Sequence, residues 1–334
     1  MNKTMQNNGL HPKVEHVQEV DAALRKSLEV RVRHVRESIS SSSDEASVAV
    51  LFSGGLDCTI LARMCHDLLP LTETIDLHNV AFQNPRIHGK LDDTESPYEL
   101  CPDRITGRSS YMELRRVCPN RQWRLVEINV PYSETVAHRS KVMELMYPHN
   151  TEMDLSISYA LYFASRGAGV WTPPEGGSPQ PHLNQAHVLI SGLGADELFG
   201  GYQRHSTAFT RHGYSGLIEE LELDFNRLGK RNLGRDDRII SDSGKEVRFP
   251  FLDEDFISLT LNLPVWAKCD FANAQQKNSD DPHLFLEPGK RILRLLAYDL
   301  DMKGVAAEPK RAIQFGARTA KMEVGKTKGT AVLT

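Results

Sequence analysis

The 334-residue sequence lacks several features that mark whole classes of protein. Its five cysteines are odd in number and show no paired metal-binding spacing, which favours a reducing compartment over a disulfide-bonded secreted protein. No apolar run is long enough to span a bilayer, and the first ten residues lack the hydrophobic stretch of a secretory signal. We therefore expect a cytoplasmic protein that does not associate with membranes.

Charge of one sign is not concentrated anywhere in the chain. Lysine and arginine are spread along it and the formal net charge is -4, so neither a nucleic-acid stripe nor a polybasic membrane patch stands out. The histidines form no HExxH or HxH run, and we expect His205 and His212 to lie at the surface rather than to bind metal. Small molecules are the expected partners.

The apolar pattern that is present predicts an α/β fold, a parallel twisted sheet with helices on both faces. A continuous apolar segment of the kind found in buried parallel strands occurs at residues 46–52, and residues 75–82, 123–130 and 187–192 repeat the strand pattern. Helical patterns occur at residues 56–69 and 109–117, and they dominate after residue 190, at 217–228 and 289–300. Residues 83–103 and 171–185 show no periodicity and are expected to be surface excursions.

Three parts are expected along the chain. Residues 1–45 form an N-terminal helical segment, in which an amphipathic helix over residues 14–35 ends before a serine-rich turn at 40–43. Residues 46–323 form the main domain, with a helical C-terminal part, and residues 324–334 are predicted to be a disordered tail.

The stretch SGGLDC, residues 53–58, stands between a predicted strand and a predicted helix. Such a turn directs several backbone N–H groups and a helix N-terminus to one spot, which suits phosphate. Gly54 and Gly55 allow close approach of the backbone, and Ser53 adds a hydroxyl donor. Asp57 would repel a naked phosphate, so its presence predicts a nucleotide bound with Mg²⁺. The alternative interpretation is a tight turn without a ligand.

A second acidic loop, SGLGADELFGGY at residues 191–202, follows another predicted strand. Because the carboxyl ends of parallel strands share one edge of a sheet, Asp57 and Asp196 are predicted to share one magnesium ion. The alternative is an acid-rich helix start that complements the helix dipole. The sequence contains neither GxxxxGK[ST] nor GxGxxG, so kinase, GTPase and dehydrogenase interpretations lose their main support.

The motifs together resemble a known family. SGGLDC is similar to the pyrophosphatase loop of the N-type ATP pyrophosphatases, and SGLGADELFGGY is similar to the second signature of the asparagine synthetases. RFPFLD at 248–253 and PKRAIQFG at 309–316 follow in the family's order, so that the resemblance covers about residues 46–323. It implies an adenine nucleotide alpha hydrolase-like fold.

The resemblance also implies a reaction and a set of site residues. The reaction is ATP-dependent adenylation of a carboxylate, with aspartate as the implied substrate and pyrophosphate as product, followed by amide formation with ammonia. The implied cofactors are ATP and Mg²⁺. The matching positions are Lys310, Asp57 and Asp196 for catalysis, Asp57 and Asp196 for the metal, Ser53, Gly54, Gly55, Asp57 and Cys58 for the pyrophosphate loop, and Leu51, Val80 and Gly192 for adenosine.

Other charged and reactive residues are given structural roles. Lys290, in the helical pattern GKRILRLL, is a weaker catalytic candidate than Lys310, and a solvated cation is the favoured interpretation. Arg248 and Asp253, with Asp236 and Asp237, are expected to form an ion-pair network under the site. A helix start should lower the pKa of the Cys58 thiol, but no partner base is evident that would make it a nucleophile.

One departure from the family pattern concerns Leu193, which stands where the asparagine synthetases place a glutamate near the reacting centre. If that glutamate takes a proton from the attacking nitrogen, its loss typically costs about 10²- to 10⁴-fold in rate. The competing hypothesis is therefore a nucleotide-binding, non-catalytic or regulatory protein that has lost amide formation. A third hypothesis is a ligase for a different acid.

The second departure lies upstream. Glutamine-dependent asparagine synthetases begin with a glutaminase domain, whereas only 50 residues precede Leu51 here, too few for a domain of about 100 residues or more. The expected nitrogen source is free ammonia or a separate glutaminase chain. A shortened form of a longer protein is the other interpretation of this start.

Overall fold

The computed structural model of the chain describes residues 1–2, 14–35, 45–92, 94–173, 176–272, 286–322 and 328–333. Seven strands of this part form one sheet. They are β1 (Val48–Leu51), β2 (Ile75–Phe82), β3 (Trp123–Val130), β4 (Ala168–Trp171), β5 (Gln180–Leu183), β6 (Val188–Ile190) and β7 (Glu246–Arg248). Their spatial order is β5-β4-β3-β2-β1-β6-β7.

The helices surround this sheet. They are α1 (Val14–Arg33), α2 (Leu56–Leu68), α3 (Pro85–His88), α4 (Pro102–Val117), α5 (Tyr132–Ala137), α6 (Arg139–Met146), α7 (Glu152–Arg166), α8 (Ala195–Phe199), α9 (Gln203–Leu228), α10 (Gly234–Ser241), α11 (Glu254–Asn262), α12 (Val265–Lys268), α13 (Arg291–Asp299), α14 (Lys303–Ala307) and α15 (Ile313–Gly316). A π-helical turn at Gly229–Leu233 joins α9 to α10, and a 3₁₀ turn covers Pro250–Leu252. No helix of the described ranges is long and apolar enough to cross a membrane.

Five adjacent strands of the sheet, from β3 to the edge strand β7, are parallel, which confirms the predicted α/β architecture. β1 pairs in parallel with β2 on one side and with β6 on the other, so that Val48 lies opposite both Ile75 and Val188. β3 and β7 extend the parallel sheet outwards, and β4 and β5 add an antiparallel hairpin at one edge. Parallel strands covered on both faces read as continuous apolar runs, which is why these segments could be found in the sequence.

Two apolar cores lie on the two faces of the sheet. Val48 and Val50 of β1 contribute to one core, together with α1, α2 and α13, whereas Ala49 and Leu51 contribute to the other, together with α7. This division follows from the alternation of side chains along a strand. α1 buries one stripe of its surface, formed by Val17, Val20, Leu24, Ser27, Leu28 and Val32.

Three segments differ from the sequence expectations. Residues 171–185 include β5 and the end of β4, because backbone pairing rather than an apolar pattern makes this edge hairpin. α4 begins at Pro102, seven residues before the predicted helix and inside a predicted surface excursion. Residues 328–333, which were assigned to the disordered tail, form backbone hydrogen bonds with residues 150–153. The predicted serine-rich turn at 40–43 lies outside the described residues.

The strand order places a crevice at the carboxyl ends of the strands, between β1 and β6. From β1 the chain proceeds to β2 and β3 on one side, whereas β6 and β7 lie on the other side. In open α/β sheets, ligands bind at the carboxyl ends of the strands where the order reverses in this way. The two acidic loops of the sequence follow β1 and β6, the two strands that flank this point.

Candidate active site

A cavity of about 410 Å³ opens at the carboxyl ends of β1 and β6. Asp57 enters it from the first turn of α2, and Asp196 enters it from α8. Lys290, directly before α13, and Lys310, between α14 and α15, also line it. Four charged side chains from four separate parts of the chain therefore meet in one cavity.

Lys290 lies between the two aspartates. Its Nζ atom is 2.5 Å from Oδ2 of Asp57 and 2.7 Å from Oδ1 of Asp196, and the residue is only 2% exposed. The interpretation of Lys290 as a solvated cation is therefore wrong. The helical pattern around it gave no sign of this, because Lys290 precedes the helix and has left-handed backbone angles, with φ at 56°.

Lys310 forms an ion pair with the other oxygen of Asp196, Oδ2. Burial disfavours the ionised form of Asp196, but the two lysines outweigh this effect and hold the pKa of Asp196 well below its usual range. Burial likewise opposes the charge of Lys290, and the two carboxylates overcome it and raise the pKa of Lys290. The pairing thus keeps Asp196 ionised and Lys290 protonated at neutral pH.

Gly201 makes this contact possible, and sequence reasoning missed it. A Cβ atom at this position would lie 1.9 Å from Oδ1 of Asp196 and 2.3 Å from Cε of Lys290. Both distances are far below a van der Waals contact, so that only glycine leaves room for the two side chains to meet. The paired glycines of the FGGY segment are the signal from which it could have been found.

The glycines of the first loop have different roles. Gly54 has φ at 80°, and a Cβ atom there would lie 2.5 Å from the backbone of Gly107 in α4. Its lack of a side chain therefore serves the packing of the loop against α4. Gly55 does line the cavity, and its N–H donates to Oγ of Ser53 at 3.3 Å, a bond in which the serine hydroxyl accepts and its own O–H donor is not used.

The apolar part of the cavity lies beside the sheet. Leu51 and Val80 line it from β1 and β2, and Ile157 and Ala160 face them from α7. Gly192 also lines the cavity. A Cβ atom at Gly192 would lie 3.0 Å from Cβ of Asp57, so the absence of a side chain here allows the two loops to pack closely. The residues expected around adenosine are thus found together on a surface without charge.

Comparison with known proteins now adds to this geometry. Residues 210–331 match the asparagine synthase family. This part of the chain is similar to the asparagine synthase domain. It is 40% identical over 323 residues to asparagine synthetase domain-containing protein 1 of Bos taurus, and 41% identical over 322 residues to an asparagine synthetase domain-containing protein of Saccharomyces cerevisiae. These alignments cover 88% and 93% of the chain but only 49% and 55% of the relatives.

A more distant relative carries the name of an enzyme. Over 171 residues, 46% of the chain and 32% of the relative, the identity is 33% to a putative glutamine-hydrolyzing asparagine synthetase of Methanocaldococcus jannaschii. The chain thus spans about half the length of the domain-containing relatives and a smaller part of this one. The matches support a ligase role at the level of the family for the asparagine synthase domain.

Leu193 lines the same cavity as the two aspartates. Its N–H donates to Oγ of Ser191 at 3.3 Å, which fixes the loop, and its side chain has no atom that can move a proton. Nearby, Glu197 is 2% exposed and accepts hydrogen bonds from Tyr202 at 2.7 Å and from Asn232 at 2.9 Å. Burial and the charge of Asp196 raise the pKa of Glu197.

Asp103 is an acidic residue of the cavity that sequence reasoning did not single out. It lies in the first turn of α4, is 6% exposed, and its nearest ion-pair contact is Arg311 at 3.9 Å. Burial outweighs that distant cation and raises the pKa of Asp103 to about 7. A Cβ atom at Gly316 would lie 1.9 Å from Oδ1 of Asp103, so this glycine makes room for the carboxyl group.

Cys58 does not have the reactivity expected from a helix start. It is buried, and its Sγ atom donates to the carbonyl oxygen of Gly55 at 3.3 Å. Burial raises the pKa of the Cys58 thiol, so the expected decrease is wrong. The loss of hydration destabilises a thiolate here by more than the helix N-terminus and the nearby hydroxyl of Ser53 stabilise it.

Two further expectations about charged residues are wrong. Arg248, Asp253, Asp236 and Asp237 do not form one ion-pair network. Asp236 pairs with Arg235 at 2.7 Å, and Asp237 is exposed. Arg248 pairs with Glu246 at 2.7 Å and donates to the carbonyl oxygen of Arg31 at 2.6 Å, and the guanidinium of Arg31 pairs with Asp253 at 2.9 Å. Of the two histidines, His212 is exposed as expected, but His205 is completely buried. Nε2 of His205 is 2.8 Å from Asp224, so a buried hydrogen bond determines its position.

Proposed function

We propose that the asparagine synthase domain is an ATP-dependent, AMP-forming ligase that adenylates a carboxylate, with aspartate as the implied substrate. The observation that carries this proposal is the meeting of Asp57, Asp196, Lys290 and Lys310 at the sheet edge where the strand order reverses. Phosphoryl and nucleotidyl transfer depend chiefly on positioning and on neutralising charge, and this cluster supplies both signs of charge in one cavity.

The electrostatics favour a triphosphate in this cavity. The N-terminus of α2, with its Ser53–Gly55 loop, directs a positive dipole to the same side as Asp57. The Lys310 side chain is 30% exposed, so its ammonium group can reach a ligand in the cavity. We propose that Lys310 stabilises the growing negative charge of the departing pyrophosphate. Leu51, Val80 and Gly192 would then hold the adenosine against α7.

The two carboxylates also fit a magnesium ion. Among the described residues no group of three or more His, Cys, Asp and Glu side chains could hold a metal by itself. Mg²⁺, however, is usually bound through one or two carboxylates together with substrate phosphates. Oδ1 of Asp57 is buried and receives no hydrogen bond from the described residues, which leaves it free for a cation. Asp57 and Asp196 would hold Mg²⁺, which would neutralise phosphate charge.

The second half of the proposed reaction is the opening of the acyl-adenylate by ammonia. The chain spans about half of its domain-containing relatives, so the source of this ammonia is also part of the proposal. Free ammonia of the cytoplasm, or ammonia from a separate glutaminase chain, would serve. An ammonium ion must lose a proton before its nitrogen can attack the acyl-adenylate, and the groups that accept this proton determine whether the step is fast.

A second candidate function is favoured by Leu193. Because leucine lines the cavity where the family has a glutamate, the domain would keep the nucleotide and lose the amide-forming step. The domain would then be a nucleotide-binding regulatory protein. The ligase would adenylate its substrate with Asp57, Asp196 and Lys310, which need no base at position 193, whereas the regulatory protein would bind ATP and adenylate nothing.

Pyrophosphate exchange is the experiment that separates the two functions. Purified protein is mixed with Mg²⁺, ATP and labelled pyrophosphate, with and without aspartate and in the absence of ammonia. Exchange that depends on aspartate would establish adenylation. Intact ATP binding without exchange, for aspartate and for other carboxylic acids, would reject the ligase and favour the regulatory protein.

Binding calorimetry with the Asp57→Asn variant supplies the control. If Asp57 helps to hold the nucleotide with its metal, the variant loses Mg²⁺-dependent ATP binding. Asp67→Asn is a matched change in the same helix, because Asp67 pairs with Arg25 and Arg63 away from the cavity. Equal ATP binding by the wild type and both variants would reject the proposed site.

A further inference from the structure

The position of Lys290 has a consequence for metal binding. Its ammonium group contacts one oxygen of Asp57 and one oxygen of Asp196, at 2.5 and 2.7 Å. These two oxygens are therefore no further apart than the combined length of the two contacts. A divalent cation that bridged these two oxygens would need the same space, so the lysine and such a metal compete for it.

The structure holds Lys290 firmly in this place. Its N–H donates to the carbonyl oxygen of Phe199 at 2.9 Å, and its own carbonyl oxygen accepts from the N–H of Arg294 at 3.0 Å. Left-handed backbone angles aim its side chain back from the start of α13 into the cavity, a conformation unfavourable for a residue with a Cβ atom. The bare backbone of Gly201 leaves room for its Cε atom.

The charges of the group cancel. Two carboxylates, Asp57 and Asp196, face two ammonium groups, Lys290 and Lys310, in direct contact. A site with no net charge does not attract a divalent cation strongly, whereas two half-buried carboxylates without lysine partners would do so. A bound nucleotide would add negatively charged phosphate oxygens. These can pair with the lysines in place of the carboxylates, and they can also bind a metal.

We propose that Lys290 is a resident cation of the Asp57–Asp196 pair, which keeps free divalent metal out of the site until a nucleotide brings the metal with it. Lys290 is then a positioning residue that holds the two carboxylates together without a metal and couples metal binding to nucleotide binding. This inference rests on the proposed function for the identity of the metal and the nucleotide. The first experiment measures metal binding alone and needs neither.

The experiment is a titration of the full chain with Mn²⁺ as the probe, followed by the EPR signal of free Mn²⁺ without nucleotide. We expect weak binding to the wild type and at least about tenfold tighter binding to Lys290→Gln, because two half-buried carboxylates lose their shared cation. Lys290→Arg keeps the charge and should bind as weakly as the wild type. The matched control is Lys26→Gln, which removes an exposed lysine 2.9 Å from Asp255.

The double variant Asp57→Asn/Lys290→Gln distinguishes this site from others. It lacks one of the two carboxylates, so it should lose the tighter binding. If Lys290→Gln alone is unfolded by the repulsion of the carboxylates, Mn²⁺ should restore its folded circular dichroism spectrum. Equal Mn²⁺ affinity of the wild type and a folded Lys290→Gln, retained tight binding by the double variant, or no recovery by Mn²⁺ would each overturn the proposal.

A second titration adds a non-hydrolysable ATP analogue to the wild type. Tight Mn²⁺ binding that appears only with the analogue supports the coupling of metal to nucleotide, and tight binding without it contradicts the coupling. Failure of the proposed function would look different. In that case the wild type would bind no analogue and show no pyrophosphate exchange, while Lys290→Gln would still gain Mn²⁺ affinity.

Discussion

Replacing Gly201 by alanine tests the central contact of the site with a single methyl group. In the native structure the added Cβ atom would lie 1.9 Å from Oδ1 of Asp196 and 2.3 Å from Cε of Lys290. Neither neighbour can move away freely, because Asp196 is also paired with Lys310 and Lys290 is bonded through its backbone to Phe199. The methyl group must therefore separate the carboxylate from the lysine.

The expected magnitude follows from the cost of overpacking. Extra methyl groups in well-packed regions cost about 1–3 kcal/mol, and separating the buried pair adds to this loss. If the same cost falls on the arrangement needed for nucleotide binding, the dissociation constant for ATP with Mg²⁺ rises roughly 5- to 100-fold. Thermal unfolding and calorimetric titration of the same sample measure both effects.

Gly229→Ala is the matched control for this change. No atom lies within 4 Å of a Cβ atom at Gly229, and its φ of -59° is helical, so alanine fits there without strain. We expect this variant to be as stable as the wild type or slightly more stable, by about 0.4–1 kcal/mol. If Gly201→Ala matched Gly229→Ala in both melting temperature and ATP affinity, the argument from the Asp196–Lys290 contact would be refuted.

Three further experiments, two with variants and one with the native protein, test other parts of the site. Burial raises the pKa of Asp103 from 3.8 to about 7 on folding, so the contribution of Asp103 to the free energy of unfolding decreases as the pH rises between these values. Asp103→Asn should therefore flatten that part of a plot of melting temperature against pH. An unchanged slope would contradict the raised pKa. All five cysteines are buried, so the native protein should react slowly with Ellman's reagent and reveal five thiols in denaturant, whereas fast labelling of Cys58 would disprove its raised thiol pKa. Leu193→Glu should raise amide formation from aspartate and ammonia if the missing proton acceptor limits that step, and no gain in product would reject this explanation.

The fold could be predicted because its strongest signals are local. The strands β1 and β6 are apolar runs, and β2 and β3 are strand patterns that are largely buried, so that each can be recognised within its own few residues. The edge hairpin of β4 and β5 could not, because its residues are largely exposed and polar and only their backbone pairing makes them strands. The early start of α4 was missed for a similar reason, since Asp103 and Arg104 look like surface residues until α4 buries them.

The sequence by itself determined that Asp57 and Asp196 would meet. Each follows a buried parallel strand, and the carboxyl ends of neighbouring parallel strands lie at one edge of a sheet. The tertiary structure alone decided what stands between them, since Lys290 is separated from Asp57 by 233 positions and reaches it only through the packing of the segment before α13. The tertiary structure also decides the pKa of the Cys58 thiol, because burial raises this pKa by more than the helix start lowers it. Local pattern decides which elements form, whereas contacts between distant segments decide the charge, burial and reactivity of the side chains they enclose.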